Sequence, residues 1–279
     1  MHEWGYVPTV QALAQDLLGG SVEIPTLLHA VHGCTDVMVE DGFVFDRNHR
    51  ELVAKSRRRV ESHRTLNGTA WSIAKRFASD LIRNCPFVDC VAVSGSVASG
   101  GYESQDDIDL NLFVGDGAKY LVYAIALVLG FRAVLRLRRV RGLRKLICIN
   151  VLWTRRESHP FSRQDAGLAL ELLRSKPLIG EEHFEDVIAS NPWIDSFFPQ
   201  LRRPSSAAPT PISAFNALGR TLRWVGRHPG WLRALEQSAR LVTQAVYCGA
   251  HWLHRHDATA MGRLEFLQRV KYPYEVFQD

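Results

Sequence analysis

The alternation of apolar and polar residues predicts short helices and a hairpin in the first part of the chain. Residues 10–18 and 24–31 have helical patterns, and Pro25 suits the first turn of the second helix. Residues 36–45 contain two β-rich runs around Asp41-Gly42, a dipeptide that readily takes the positive φ angles of a tight hairpin turn. Two helices followed by a hairpin are typical of a winged-helix-like unit.

The middle of the chain contains three strand patterns after a long helical one. Residues 48–84 favour a helix, which Asn67-Gly68 could interrupt. Residues 87–93 are a compact β-type run, residues 107–114 alternate strictly, and residues 146–153 are a third run, with a helix between the last two. This order predicts a core that contains both strands and helices.

The remainder of the chain is largely helical. Residues 164–174, 181–189 and 214–256 have helical patterns, and residues 203–211, rich in Pro, Ser and Ala, indicate a linker. We therefore expect a helical C-terminal domain. The predicted division is a winged-helix-like unit with linking helices at residues 1–84, a core at residues 85–160 and a helical domain at residues 161–279.

Composition and charge describe an ordinary globular protein. The chain has 279 residues, of which 46% are hydrophobic and 23% charged, and this excludes disordered, collagen-like and coiled-coil architectures. A net charge of +5 suits nucleotides, phosphates or RNA without requiring a polyanionic partner. The most apolar stretch, residues 120–131, is shorter than the roughly 20 residues that span a bilayer, and the N-terminus has no signal-peptide pattern. We expect a cytoplasmic protein without a membrane partner.

One segment, residues 91–114, carries the chemistry. Asp107 and Asp109 form an Asp-x-Asp pair at the head of a strand. Because successive strand side chains point to opposite faces, these two residues and Asn111 share one face. Two neighbouring carboxylates repel each other unless a cation lies between them, and their hard oxygens suit Mg²⁺ held together with substrate phosphates. The pair therefore predicts a magnesium site.

A Gly-Ser turn precedes this pair. Gly95 lets the backbone come close to a ligand, and Ser96 offers a hydroxyl and an amide at a helix N-terminus, where unsatisfied N–H groups favour anions. Together with the acidic strand, the turn is suited to a triphosphate that is held between backbone N–H donors and metal ions. This combination predicts nucleotidyl transfer.

These residues resemble the nucleotidyltransferase superfamily that includes DNA polymerase β and the aminoglycoside nucleotidyltransferases. Its pattern is a Gly-Ser turn, a short spacer and Asp-x-Asp on a strand, and the resemblance covers residues 86–153. It implies that Asp107 and Asp109 bind two Mg²⁺ ions and that Gly95 and Ser96 hold the β- and γ-phosphates of an NTP. An acceptor would attack the α-phosphorus and release pyrophosphate.

A weaker likeness extends to bacterial nucleotidyltransferase-domain proteins that have a winged-helix-like N-terminal part and bring no assigned substrate. It rests on an Asn-x-Trp…Phe-x-Pro segment after the core. The matching residues are Asn191, Trp193, Phe197, Phe198 and Pro199.

The sequence departs from the superfamily at the third strand. Many members carry a third carboxylate there, which binds the catalytic metal and accepts the proton of the acceptor. The central polar residue of this strand is Asn150, which can offer a metal a neutral oxygen but cannot act as a general base. Glu103, Asp106 and Glu157 are candidate substitutes.

The resemblance implies an α+β fold: a polymerase β-like nucleotidyltransferase core with a mixed sheet and helices, between a winged-helix-like unit and a helical domain. The predicted function is Mg²⁺-dependent transfer of a nucleoside monophosphate from ATP or another NTP to a hydroxyl, with a small molecule as acceptor. Transfer to tRNA or to a protein, as in toxin–antitoxin pairs, stays open, because the basic residues between 132 and 145 could contact an RNA backbone. A DNA-binding regulator with an inactive, nucleotide-sensing core is the other alternative.

Overall fold

A computed structural model describes residues 6–137, 147–201, 214–253, 256–258 and 261. Helices and a mixed sheet form its core, so the predicted α+β class is confirmed. The strands are β1 (Val37–Glu40), β2 (Phe43–Asp46), β3 (Val88–Val93), β4 (Ile108–Val114), β5 (Ile147–Thr154) and β6 (Lys176–Ile179). The helices are α1 (Val10–Gln15), α2 (Ile24–His32), α3 (Glu51–Asn84), α4 (Gly95–Ser99), α5 (Lys119–Leu137), α6 (Arg155–Ser158), α7 (Ala166–Arg174), α8 (Glu181–Ala189), α9 (Ile194–Phe197), α10 (Ala217–Gly226) and α11 (Pro229–Leu253).

The N-terminal unit consists of α1, α2 and an antiparallel hairpin of β1 and β2. Asp41 (φ 52°) and Gly42 (φ 79°) both have the positive φ angles that the hairpin turn was predicted to need. Phe43 and Phe45 of the hairpin pack in a small core with Val53 of α3. The predicted helices and hairpin are confirmed, and the winged-helix-like assignment stays a prediction.

Helix α3 runs for 34 residues without a break, so the predicted interruption near Asn67-Gly68 is wrong. Gly68 is exposed, and an interior glycine costs a helix only about 1 kcal/mol relative to alanine. Directly after it, α3 buries a continuous stripe against the sheet, and this tertiary packing outweighs the local preference. The stripe contains Ala70, Ile73, Ala74, Phe77, Ala78 and Leu81.

The main sheet has four strands in the order β5-β4-β3-β6. Strands β4 and β5 are parallel and are joined by the helical crossover α5, whereas β3 is antiparallel to both β4 and β6. Helices α3 and α5 cover one face of this sheet. Helices α7 and α8, with Ile194 and Phe198 beyond them, cover the opposite face. The start of β4, where Asp107 and Asp109 lie, is therefore at one end of a sheet that helices cover on both faces.

Strand β6 was not predicted. Its four residues lie between two helical patterns and contain Pro177, which disfavours a central strand. At the edge of the sheet this proline is tolerated, and Lys176 pairs there with Val93. The sheet thus continues beyond residue 160, although the predicted domain boundaries themselves stay predictions.

Asn191 connects the helices on the second face of the sheet. Its side chain is fully buried, and its Oδ1 accepts hydrogen bonds from the backbone N–H of Phe161 (2.8 Å) and from Nε1 of Trp193 (2.9 Å). Its Nδ2 donates to the carbonyl groups of Ser158 (2.8 Å) and Val187 (2.7 Å). The Asn-x-Trp segment singled out by the weaker likeness therefore has a structural role.

The C-terminal helical pattern forms two helices, α10 and α11. Nδ2 of Asn216 donates to Oδ1 of Asn84 (2.8 Å) at the end of α3, and this contact anchors the start of α10. Glu236 of α11 accepts hydrogen bonds from the backbone N–H groups of Tyr120 (2.8 Å) and Leu121 (2.9 Å) in the first turn of α5. The predicted linker at 203–211 lies outside the described residues. No described helix is long and apolar enough to cross a membrane.

Candidate functional site

The Gly-Ser turn and the Asp-x-Asp strand meet at Gly95 and Asp109. The backbone N–H of Ser94 donates to the carbonyl of Asp109 (2.9 Å), which fixes the turn against β4. Gly95 has a φ of +59°, and a Cβ on it would overlap Oδ2 of Asp109 and lie 2.9 Å from its Cγ. Only glycine satisfies both this backbone angle and this close approach. The Asp109 carboxylate therefore lies directly against the turn.

Asp107, Asp109 and Cys148 form a group that could hold a metal ion. One ligand atom from each of the three lies within 4.8 Å of the others, and all three side chains are half-buried. Asp109 pairs with Cys148 across the parallel strands β4 and β5. Within the described part of the chain, no other group of three His, Cys, Asp or Glu side chains satisfies this criterion.

Asn150 lies in a β-bulge. Leu110 pairs with Ile149 and Asn111 with Val151, so Asn150 is the extra residue of β5. Its Nδ2 donates to Oδ1 of Asn111 (3.1 Å) and to Oε1 of Glu171 (3.2 Å), with a longer contact to Oγ of Ser94 (3.4 Å). The residue opposite Asp109 is Cys148, before the bulge, and a catalytic role for Asn150 stays a prediction.

A hydrogen-bonded polar network lies beside the metal group on the same face of the sheet. Asn111 is fully buried, and its Nδ2 donates to Oε1 of Glu171 (3.0 Å) and to Oγ of Ser175 (3.0 Å). Oγ of Ser94 donates to Oδ1 of Asn111 (3.1 Å). Because a buried polar group costs free energy unless it is paired, this network fixes Ser94, the residue before the Gly-Ser turn.

Sequence reasoning missed Glu171 and Cys148. Glu171 belongs to α7, and nothing in its local pattern indicates that α7 crosses the head of β4. Cys148 and Asn150 both lie in the predicted third strand, and choosing between them needs the register with β4. That register pairs Cys148 with Asp109, and the strand pattern alone does not reveal it.

Tyr102 lies in the loop between α4 and β4 and packs in the core on the α3 and α5 face of the sheet. The residue is fully buried, and its hydroxyl has no hydrogen-bond partner among the described residues. Burial, together with the negative charges of Asp106, Asp107 and Asp109, raises the pKa of Tyr102 to about 12. Its hydroxyl thus stays protonated at neutral pH and can donate a hydrogen bond.

The three candidate substitutes for the missing carboxylate take part in ion pairs. Arg59 of α3 contacts Oε2 of Glu103 (3.2 Å) and Oδ2 of Asp106 (3.1 Å) in the loop before β4. Glu157 contacts Nζ of Lys119 (2.8 Å) and completes a capping box with Thr154 at the start of α6. These contacts give all three carboxylates structural partners, and Arg59 ties α3 to the loop that carries Asp106.

Gly95 and Ser96 are the first two residues of α4, and both are half-buried. The carbonyl of Ser96 accepts a hydrogen bond from the backbone N–H of Gly101 (3.0 Å), which closes this five-residue helix. Their contact with phosphates stays a prediction. Most of the basic stretch considered for RNA, residues 138–146 above all, lies outside the described residues.

No model of a known protein family matches the sequence, and no curated protein or solved structure matches it either.

Proposed function

We propose that the protein is a divalent-metal-dependent nucleotidyltransferase that transfers a nucleoside monophosphate from an NTP to an acceptor hydroxyl. The observation that supports it most strongly is the contact between Gly95 and Asp109. The Gly-Ser turn and the Asp-x-Asp strand, which a loop separates in the sequence, lie so close together that no side chain fits between Gly95 and Asp109. A glycine that leaves room for a carboxylate is expected where a phosphate chain and a metal must share one small space.

The donor set fits a divalent cation. Asp107 and Asp109 bring two negative charges together, and two carboxylates at such a distance repel each other by an amount that a cation offsets. These two carboxylates would hold a divalent metal, which would supply positive charge to offset the negative charge of the substrate phosphates. Magnesium is the ion that the two carboxylates alone predict.

The residues around the metal group would orient the NTP. Ser94 is held by Asn111, so the Gly95-Ser96 backbone starts from a fixed position. In the proposal, the backbone N–H groups and the Ser96 hydroxyl bind the β- and γ-phosphates. Such orientation lowers the barrier because the reacting groups are brought together before the chemical step. Asn150 has no basic atom, so the acceptor's proton leaves to a carboxylate of the site or to water.

The test is binding and turnover of each common NTP by the purified chain with Mg²⁺ or Mn²⁺. Isothermal titration measures binding, and pyrophosphate release measures turnover. Asp109→Asn removes one charge at constant size and should abolish metal-dependent NTP binding. Glu182→Gln, which removes one charge at an exposed position of α8, is the matched control and should behave like wild type. Equal binding by Asp109→Asn and wild type would contradict the proposal.

The acceptor is a separate question. A small molecule is the acceptor in the proposal, with tRNA or a protein as the alternatives. Incubation of the chain with α-labelled NTP and a cell extract separates them by size. Label in a metabolite fraction supports a small acceptor, whereas label in RNA or protein replaces that part of the proposal.

A further inference from the structure

We propose that Cys148 is a metal ligand, so that the site selects an ion that accepts sulfur, such as Zn²⁺ or Co²⁺, over Mg²⁺. This inference rests on the proposed function for its metal site and goes beyond it by assigning the third ligand and the class of metal.

The geometry comes from the pairing of two parallel strands. Asp109 and Cys148 are directly paired, and neighbouring strands lie about 4.8 Å apart. The Cys148 sulfur lies within 4.8 Å of a carboxylate oxygen of Asp109 and of one of Asp107. Metal–oxygen bonds of about 2.1 Å and a metal–sulfur bond of about 2.3 Å at a tetrahedral angle place oxygen and sulfur ligands about 3.6 Å apart, so the three atoms can share one ion after small side-chain rotations.

The chemistry of the third ligand, a thiolate, determines which metal ion the site prefers. Mg²⁺ takes hard oxygen ligands, whereas a thiolate suits Zn²⁺ and the metals near it in the first transition row. Two carboxylates and one thiolate are a mixed set that Zn²⁺ and Co²⁺ accept and that gives Mg²⁺ only two of three ligands. On binding, the thiol of Cys148 loses its proton to the buffer and its sulfur forms the bond to the metal.

Tyr102 provides a second, independent observation. Its hydroxyl is buried without a hydrogen-bond partner among the described residues, although buried hydroxyls are nearly always paired. Tyr102 lies in the loop between α4 and β4, five residues before Asp107, and burial, together with the charges of Asp106, Asp107 and Asp109, raises its pKa. A water or a substrate oxygen on a bound ion is the kind of group that would pair it.

The other cysteines do not compete for this role. Burial raises the pKa values of Cys85 and Cys90, which lie in the hydrophobic cores on the two faces of the sheet. Cys34 and Cys248 are exposed, and neither belongs to the metal group. A signal from metal-bound thiolate can therefore be assigned by changing one cysteine at a time.

The test is titration of the full, reduced chain with Co²⁺, followed by absorption spectroscopy. Thiolate ligation gives a sulfur-to-cobalt charge-transfer band in the near ultraviolet. We expect this band in wild type and in the Cys34→Ser/Cys248→Ser variant, and its loss in Cys148→Ser. Cys148→Ser should also weaken Co²⁺ and Zn²⁺ binding by more than tenfold, since even residues that only support metal ligands contribute about 10–100-fold.

A second variant keeps the test decisive if Cys148→Ser folds poorly. Cys148→Asp replaces the soft ligand by a hard one, so it should lose the charge-transfer band and bind Mg²⁺ more tightly than wild type. A band that persists in both variants, or Co²⁺ affinity unchanged in both, would overturn the assignment of Cys148.

Failure of this inference and failure of the proposed function give different results. Wild type that shows the cobalt–thiolate band but neither binds nor turns over an NTP supports the ligand and refutes the nucleotidyltransferase. NTP turnover that needs Asp109 and Mg²⁺, with no effect of Cys148→Ser in any metal, supports the enzyme and refutes the ligand.

Discussion

Replacing Gly95 by alanine tests the contact on which the candidate site depends. Two costs arise at this position. The φ of +59° disfavours any residue with a Cβ by about 1–2 kcal/mol. In addition, the new Cβ would overlap Oδ2 of Asp109 and lie 2.9 Å from its Cγ, so the carboxylate must move by roughly 1–1.5 Å to reach an ordinary contact of about 3.5 Å.

Overpacking of this kind typically costs about 1–3 kcal/mol, so Gly95→Ala should lower the free energy of unfolding by about 2–5 kcal/mol in total. Gly100→Ala is the matched control. Gly100 lies at the other end of α4 with a φ of +88°, but a Cβ there meets no atom within 4 Å. Only the backbone cost applies, and the expected loss is about 1–2 kcal/mol.

Urea unfolding of both variants, and of Gly95→Ala combined with Asp109→Ala, measures the clash directly. The double variant should recover part of the Gly95→Ala loss, because the overlapping carboxylate is gone. Metal affinity should fall about 10²-fold in Gly95→Ala, since a ligand displaced by about 1 Å no longer fits the ion, and should stay near wild type in Gly100→Ala. Equal stability losses in Gly95→Ala and Gly100→Ala would show that the Asp109 carboxylate does not lie against Gly95.

Three further predictions concern the residues around the site. Arg59→Met removes the partner of Glu103 and Asp106 and should lower the free energy of unfolding, measured by urea denaturation, by about 2–3 kcal/mol. A loss below about 0.5 kcal/mol would mean that these ion pairs contribute little to stability. Asn111→Ala leaves Glu171, Ser175 and Ser94 without their shared partner and should lower the free energy of unfolding by about 2–3 kcal/mol. Thermal unfolding measures this loss, and Asn48→Ala, at an exposed position, is the control. Burial, together with the charge of Lys176, lowers the pKa of His63, so His63 is protonated at higher pH in the unfolded chain than in the folded one. The free energy of unfolding should therefore fall as the pH drops below about 6.5. His63→Gln should reduce that fall, and a pH profile of stability unchanged by this substitution would contradict the prediction.

Much of the fold follows from local patterns. The hairpin was predictable because Asp41-Gly42 needs no tertiary support to turn, and Ile108, Leu110 and Leu112 alternate so strictly that their buried face was evident. The opposite face of β4 was predicted only in part. Asp109 and Asn111 are polar as expected, but Phe113 continues that face into a second core.

The differences arise where distant segments meet. The helix α3 passes Gly68 because its packing against the sheet outweighs a local cost, and β6 exists because β3 offers it an edge. In the site, the Gly-Ser turn and the Asp-x-Asp pair could be singled out because their patterns lie close in the sequence, and the antiparallel pairing of β3 and β4 brings the turn against Asp109. Cys148 and Glu171 could not be predicted, since one depends on the register between β4 and β5 and the other on the docking of α7.

The central claim is that a divalent metal held by Asp107 and Asp109 binds an NTP against Gly95. The most direct measurement is isothermal titration of each common NTP into wild type, Asp107→Asn and Glu182→Gln, with Mg²⁺ or Co²⁺ and with no added metal. We expect metal-dependent binding of at least one NTP to wild type and to Glu182→Gln, and its loss in Asp107→Asn. Binding that is unchanged in Asp107→Asn, or no binding of any NTP to wild type, would contradict it.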